Sequence, residues 1–134
     1  DGRQKFYPPK QGVSHTLVQS SSSDQTEGLD VEVRSIPSLM QTFGDKYVAM
    51  LKIDIEGFEI EVIPELVRFW QTSLPRAQWP RLLAFDMDSI RKGHPRRNEP
   101  AARRCMKLLT DAGYQQFSWT GGADIVYLLR PSSS

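Results

Sequence analysis

Two pairs of carboxylates stand where short apolar runs end. Asp54 and Glu56, just ahead of Gly57, close the run that begins at Met50, and Asp86 and Asp88 close Leu82-Leu83-Ala84-Phe85. A carboxylate at a strand end beside a helix N-terminus can take a proton from a substrate hydroxyl, orient that hydroxyl, or hold a cation. His94 titrates near neutrality and is a further candidate base. Its setting between Arg91-Lys92 and Arg96-Arg97, next to Pro95, equally describes a surface loop. Spacing leaves a plainer reading open for the first cluster as well, in which Glu56 and Glu59 only place negative charge in the first turn of a helix. The single cysteine, Cys105, excludes an internal disulfide framework and a cysteine-rich zinc site, and no spacing of His and carboxylates marks a metal site.

These residues need elements to hold them, and the apolar pattern supplies a sequence of strands and helices. From Leu29, Val31 and Val33 alternate with Glu32 and Arg34, the period of a half-buried strand. Ser35 can cap a helix with Pro37 in its first turn, where Ile36, Leu39, Met40 and Phe43 recur until Gly44 stops it. Met50, Leu51, Ile53 and Ile55 predict a strand covered on both faces, as in a parallel sheet. Ile60, Ile63, Leu66, Val67 and Trp70 form one stripe of a helix from about Phe58 to Trp70, with Pro64 acceptable only near the start or at a kink. Leu82 to Phe85 reads as a buried strand. Glu99 and Pro100 open a helix with the stripe Ala101, Cys105, Leu108, Leu109 and Ala112, and Gly113 ends it. Tyr114 to Trp119 and Ile125 to Leu129, on either side of Gly121-Gly122, suit an antiparallel hairpin.

Alternation of this kind predicts an α/β fold with a mostly parallel sheet, right-handed crossovers and a C-terminal antiparallel hairpin. Ligands of such sheets bind outside the carboxyl ends of the strands, where both acidic clusters fall. Residues 1–28 are rich in Ser, Gln, Gly and Pro, with Ser20 to Ser23 in a row, and are expected to be irregular; residues 29–131 carry the folded domain.

The 134 residues are 39% hydrophobic and 25% charged with a net charge of +1, a profile of neither a disordered nor a membrane-spanning chain. No apolar run approaches the roughly 20 residues of a bilayer span. The near-neutral balance gives no global pull toward nucleic acid, although Arg91, Lys92, Arg96, Arg97, Arg103 and Arg104 concentrate positive charge locally. That loop could bind phosphate groups or a partner in a non-catalytic module. Nucleic-acid readers pair such charge with exposed aromatics, whereas Phe117, Trp119 and Tyr127 occupy strand positions expected to pack. The chain opens on Asp1 and carries no charged-then-apolar leader, so a further segment upstream is expected.

The run Leu51-Lys52-Ile53-Asp54-Ile55-Glu56-Gly57-Phe58-Glu59, preceded by Val31-Glu32-Val33-Arg34-Ser35-Ile36-Pro37-Ser38-Leu39, resembles the FkbM methyltransferase family. Members of that family typically show a strand, a short Leu-containing helix and then Leu-Lys-Ile-Asp-(Ile or Val)-Glu-Gly-(Ala or Phe)-Glu. Weaker likenesses are the acid-ending strand at Asp86, the helix running into Ala112-Gly113-Tyr114, and Asp124-Ile125-Val126-Tyr127. The resemblance covers about residues 29 to 130.

It implies a Rossmann-like class I methyltransferase sheet, with the last strand antiparallel between the fifth and the sixth and with Asp54 ending the fourth. It also implies S-adenosylmethionine as donor and a hydroxyl acceptor on a sugar or other small molecule. Methyl transfer from a sulfonium needs in-line positioning and, for a hydroxyl, removal of a proton. Asp54 and Glu56 are then the candidate catalytic residues, with Asp86, Asp88 and His94 on the acceptor side. In the family the donor is held by a glycine-rich loop after the first strand and an acid ending the second. Here Gly2, Gly12, Gly28 and Gly44 are isolated, and no strand, glycine-rich turn and helix unit precedes Val31. The expectation is the C-terminal part of a domain whose N-terminal strands are missing, inactive alone, with an apolar edge on Met50 to Ile55 open to self-association. A rival resemblance rests on Leu82 to Ser89, which is similar to the nucleophile motif of haloacid-dehalogenase phosphatases, Asp86 attacking phosphate and Asp88 acting as acid. That chemistry also needs a downstream lysine and an acidic pair for magnesium, and only Lys92 and Lys107, with the isolated Asp111 and Asp124, follow.

Overall fold

The computed structural model describes residues 1–6, 28–55, 57–87, 90, 97–119 and 124–131. The chain divides into two compact units, Asp1–Asp45 and Lys46–Ser134.

The first unit begins with a strand where irregular chain was expected: β1 (Gly2–Phe6) pairs antiparallel with β2 (Leu29–Val33), from Gly2 opposite Val33 to Phe6 opposite Leu29. Lys5 faces Asp30 across the pair and bridges it at 3.3 Å. The Ser35 N–H donates to Asp1 Oδ1 at 2.6 Å, and the Ser35 hydroxyl accepts from the Ser38 N–H at 3.3 Å. That second bond starts α1 (Ile36–Phe43), as the Ser-x-Pro signal predicts, and Gly44 follows its last turn. Among the described residues of this unit none is fully buried, and Phe43 is 74% exposed.

The second unit holds a four-stranded sheet in the order β3-β4-β6-β5, with β3 (Met50–Ile53), β4 (Leu82–Asp86), β5 (Tyr114–Trp119) and β6 (Asp124–Leu129). β3 and β4 are parallel, while β6 lies antiparallel to both β4 and β5. Three strands therefore run one way and β6 alone runs against them. The expected hairpin forms, and its second strand is inserted beside β4 rather than added at the edge. Residues opposite one another share a face, so Ile53, Leu83, Phe85, Ile125, Tyr127 and Tyr114 line one side, all at most 7% exposed. Phe85 stacks on Tyr127 with ring centroids 5.6 Å apart. The other side is only half-buried, and Met50 is 57% exposed, which corrects the expectation of a strand covered on both faces. Among the described residues, β3 stands at the end of the sheet with a hydrogen-bonded neighbour on one side only.

The helix α2 (Glu59–Ser73) buries Ile63, Leu66, Val67 and Trp70 of the predicted stripe, leaves Ile60 half-buried, and runs past Trp70 to Ser73. Each such side chain contributes about 1.5–3 kcal/mol on burial. Trp70 reaches the sheet, its ring 6.0 Å from that of Tyr114. Pro64 lies inside the helix and has no N–H for the Ile60 carbonyl. The Cys105 thiol donates to that carbonyl instead, at 3.5 Å, and so ties α3 (Glu99–Asp111) to α2. Asn98 caps α3 by accepting from the Ala101 N–H at 3.3 Å. Ala102, rather than the expected Ala101, joins Cys105 and Leu109 in the core.

A clasp closes the end of the sheet opposite the acidic clusters. In the 3-10 turn Arg76–Gln78, Arg76 lies over the Trp79 ring at 5.1 Å and donates to the Ala112 carbonyl at 2.9 Å. Gly113 follows at φ 94°, and a Cβ there would run into the guanidinium. The buried Tyr114 hydroxyl donates to the Pro80 carbonyl at 2.8 Å. Phe117 departs from expectation: it is 71% exposed, because the β5–β6 register shifts between Gln116 and Ser118 and breaks the strand alternation there. Tyr127 packs as predicted. No helix among the described residues is long and apolar enough to cross a membrane.

Candidate active site at the carboxyl ends of β3 and β4

The parallel register runs from Met50 opposite Leu82 to Ile53 opposite Phe85. One further step sets Asp54, the first residue past β3, beside Asp86, the last of β4. Neighbouring strands lie about 4.8 Å apart, so the two carboxylates share one rim of the sheet. Asp86 in turn is opposite Asp124, the first residue of β6. Like charges facing one another across strands disfavour pairing. A donor proton entering such a rim meets several acceptors at once.

Asp54 is open to solvent. Among the described residues its partner is Lys52, two residues back in the chain, at 3.7 Å, and both side chains are more than half exposed. An ion pair that exposed holds the carboxylate only weakly, and the Asp54 oxygens stay accessible to an incoming hydroxyl. Asp86 is half-buried. Glu56, Asp88 and His94 lie outside the described residues, as do Arg91, Lys92 and Arg96 of the basic loop. Of that cluster, Arg97 and Arg103 pair with Glu99 at 3.0 and 2.6 Å. The Arg103 hydrogen bond and charge, helped by Arg97, hold the Glu99 carboxyl below its usual value. Two of the three described arginines of the cluster are thus engaged on the surface. Among the described residues, no group of three His, Cys, Asp or Glu side chains could hold a metal ion.

The turn that carries Asp54 is built tightly. Phe58 donates its N–H to the Ile55 carbonyl at 3.4 Å, and the buried Gly57 adopts φ 93°, a left-handed value that glycine takes without strain. Glu59, at the first position of α2, reaches back so that its Oε1 accepts from the Ile55 N–H at 3.0 Å. It is 0% exposed. Glu59 does stand in the first turn of α2, as the plainer reading has it, but it is buried there. Spacing missed it, because a glutamate in a first helical turn normally points to solvent.

Fold and site together define a mixed α/β protein with an acidic rim at the carboxyl ends of adjacent parallel strands. The sequence model of the Methyltransferase FkbM domain matches residues 2–115. The chain belongs to the FkbM methyltransferase family, a family of transferases whose reaction is methylation. The match takes in β1 and most of the stretch expected to be irregular, and it stops at Gln115, at the start of β5. No match was found among curated proteins. None was found among solved structures.

Proposed function

We propose that this chain supplies the acceptor side of an S-adenosylmethionine-dependent O-methyltransferase, with Asp54 orienting and deprotonating a hydroxyl on a sugar or other small molecule. The observation that carries the reading is the parallel register ending at Ile53 opposite Phe85, which brings the next residues, Asp54 and Asp86, to one rim, in a member of this family. The strand order β3-β4-β6-β5, with β6 antiparallel between its neighbours, supports it, because the resemblance implies the same order for the fourth, fifth, seventh and sixth strands of a class I methyltransferase sheet.

The donor, when bound, supplies an electrophilic methyl group. The described residues do not fit it. The one buried glycine turn, at Gly57, is closed by the Phe58-to-Ile55 hydrogen bond and offers no open cradle for an adenosine. The donor contacts are therefore taken to lie outside the described residues, and the β3 edge is taken to pair with a second copy of the chain where nothing else covers it. The chain's own residues act on the acceptor. Asp54 accepts the hydroxyl proton as the oxygen becomes nucleophilic, Glu56 steadies the turn or the acceptor, and Asp86, Asp88 and His94 line the acceptor side.

Calorimetric titration of S-adenosylhomocysteine into this chain, beside a form extended at its N-terminus, tests the proposal. Binding by the extended form alone is the expected result. Tight binding by the short chain would relocate the donor contacts into residues 1–134, and no binding by either would remove methyl transfer as the function.

A further inference from the structure

We infer that Glu59 is a positioning residue for Asp54, a clamp between the end of β3 and the start of α2; the inference rests on the acceptor-side role proposed for Asp54. Three observations combine. Glu59 is 0% exposed, although a glutamate at the first position of a helix satisfies the helix dipole equally well from the surface. Burying a carboxyl group is costly unless hydrogen bonds compensate, so a purely electrostatic role does not account for its position. Its Oε1 takes the N–H of Ile55 at 3.0 Å, two residues beyond the last ladder residue, Ile53. The Ile55 carbonyl also accepts from the Phe58 N–H at 3.4 Å, so the turn between β3 and α2 is fastened at Ile55 through both its N–H and its carbonyl.

Asp54 consequently sits between two fixed points. On one side Ile53 is held in the ladder opposite Phe85. On the other, Ile55 is held by Glu59, whose helix is anchored in the core through Ile63, Val67 and Trp70. An exposed carboxylate on a free turn would sample many directions. Between these anchors the backbone direction at Asp54 is set by the core, which is how an exposed side chain keeps a reproducible geometry toward an acceptor.

Amide hydrogen exchange on the whole chain tests the clamp without any methyl-transfer assay. In Glu59→Ala the Ile55 amide should exchange about tenfold faster or more, the loss of one carboxylate hydrogen bond, while the ladder amides of Leu83 and Tyr127 keep their rates. Glu59→Gln retains an accepting oxygen and should restore protection at Ile55. It also serves as the deciding variant if Glu59→Ala does not fold. Unchanged exchange at Ile55 in Glu59→Ala, loss of protection in Glu59→Gln, or acceleration spread evenly to Leu83 and Tyr127 would each overturn the inference. Where methyl transfer is measured, Glu59→Ala should lower kcat at an unchanged acceptor KM, with Glu59→Gln recovering it. If Asp54→Asn leaves turnover intact while Ile55 still responds to Glu59→Ala, the clamp stands and the role of Asp54 falls.

Discussion

Replacing Gly113 by alanine should destabilise the second unit through two separable effects. At φ 94° an alanine pays the left-handed penalty, about 1–2 kcal/mol. Its Cβ also occupies the space of the Arg76 guanidinium, which must swing away from the Ala112 carbonyl it binds at 2.9 Å. A hydrogen bond from a charged donor contributes about 1.5–3 kcal/mol. The smaller backbone entropy of alanine in the unfolded chain returns about 0.4–1 kcal/mol. The net cost is about 2–4 kcal/mol, or a fall in Tm of roughly 10 °C for a domain of this size. Urea denaturation of wild type, Gly113→Ala, Arg76→Ala and the double variant separates the parts. With the guanidinium removed, only the backbone penalty remains, and the cycle should return a coupling of about 1.5–3 kcal/mol. Equal costs of Gly113→Ala in both backgrounds would refute the clasp.

In a preparation that transfers methyl groups, Asp54→Asn should cut turnover at least about a hundredfold, the low end of general-base contributions. It should leave the denaturation midpoint within error, since the Lys52 pair is exposed; unchanged turnover removes Asp54 from the mechanism. Tyr114→Phe should cost about 1–2 kcal/mol in urea melts, because the buried Pro80 carbonyl loses its donor. Burial raises the Tyr114 phenol above its ordinary value of 10.0, against a smaller opposing effect of Arg76. Its stabilising contribution is therefore complete below pH 10.0 and is lost as pH rises above it, so wild-type stability should decline there more steeply than that of Tyr114→Phe. Burial likewise raises the Cys105 thiol, with Arg104 opposing. Thiol reagents at pH 8 should modify it slowly in the native chain and at the free-thiol rate in urea, and equal rates would contradict the packing of α3 on α2.

Local chemistry settles part of this fold. Ser35 and Pro37 start α1, Glu99 and Pro100 fall where α3 begins, and the stripe from Ile63 to Trp70 faces inward, all as their spacing predicts. These features involve residues within a turn or two of each other, so neighbours along the chain carry the whole signal. The acidic residues at strand ends were legible for the same reason: a strand's last residue and the helix after it are adjacent in sequence.

Contacts between distant residues decided the rest. β1 pairs with β2 although irregular chain was expected there, since register across such a separation comes from pairing and not from periodicity. β6 enters beside β4, which sets Asp124 opposite Asp86 at the candidate site. A shift in the β5 ladder turns Phe117 to solvent. Cys105 answers the carbonyl that Pro64 leaves without its helical donor. Glu59, which looks like a surface charge by type and position, is buried against the Asp54 turn because α2 enters the core directly at the end of β3. Burial of a polar side chain depends on which elements close around it, and only the folded chain brings those elements together.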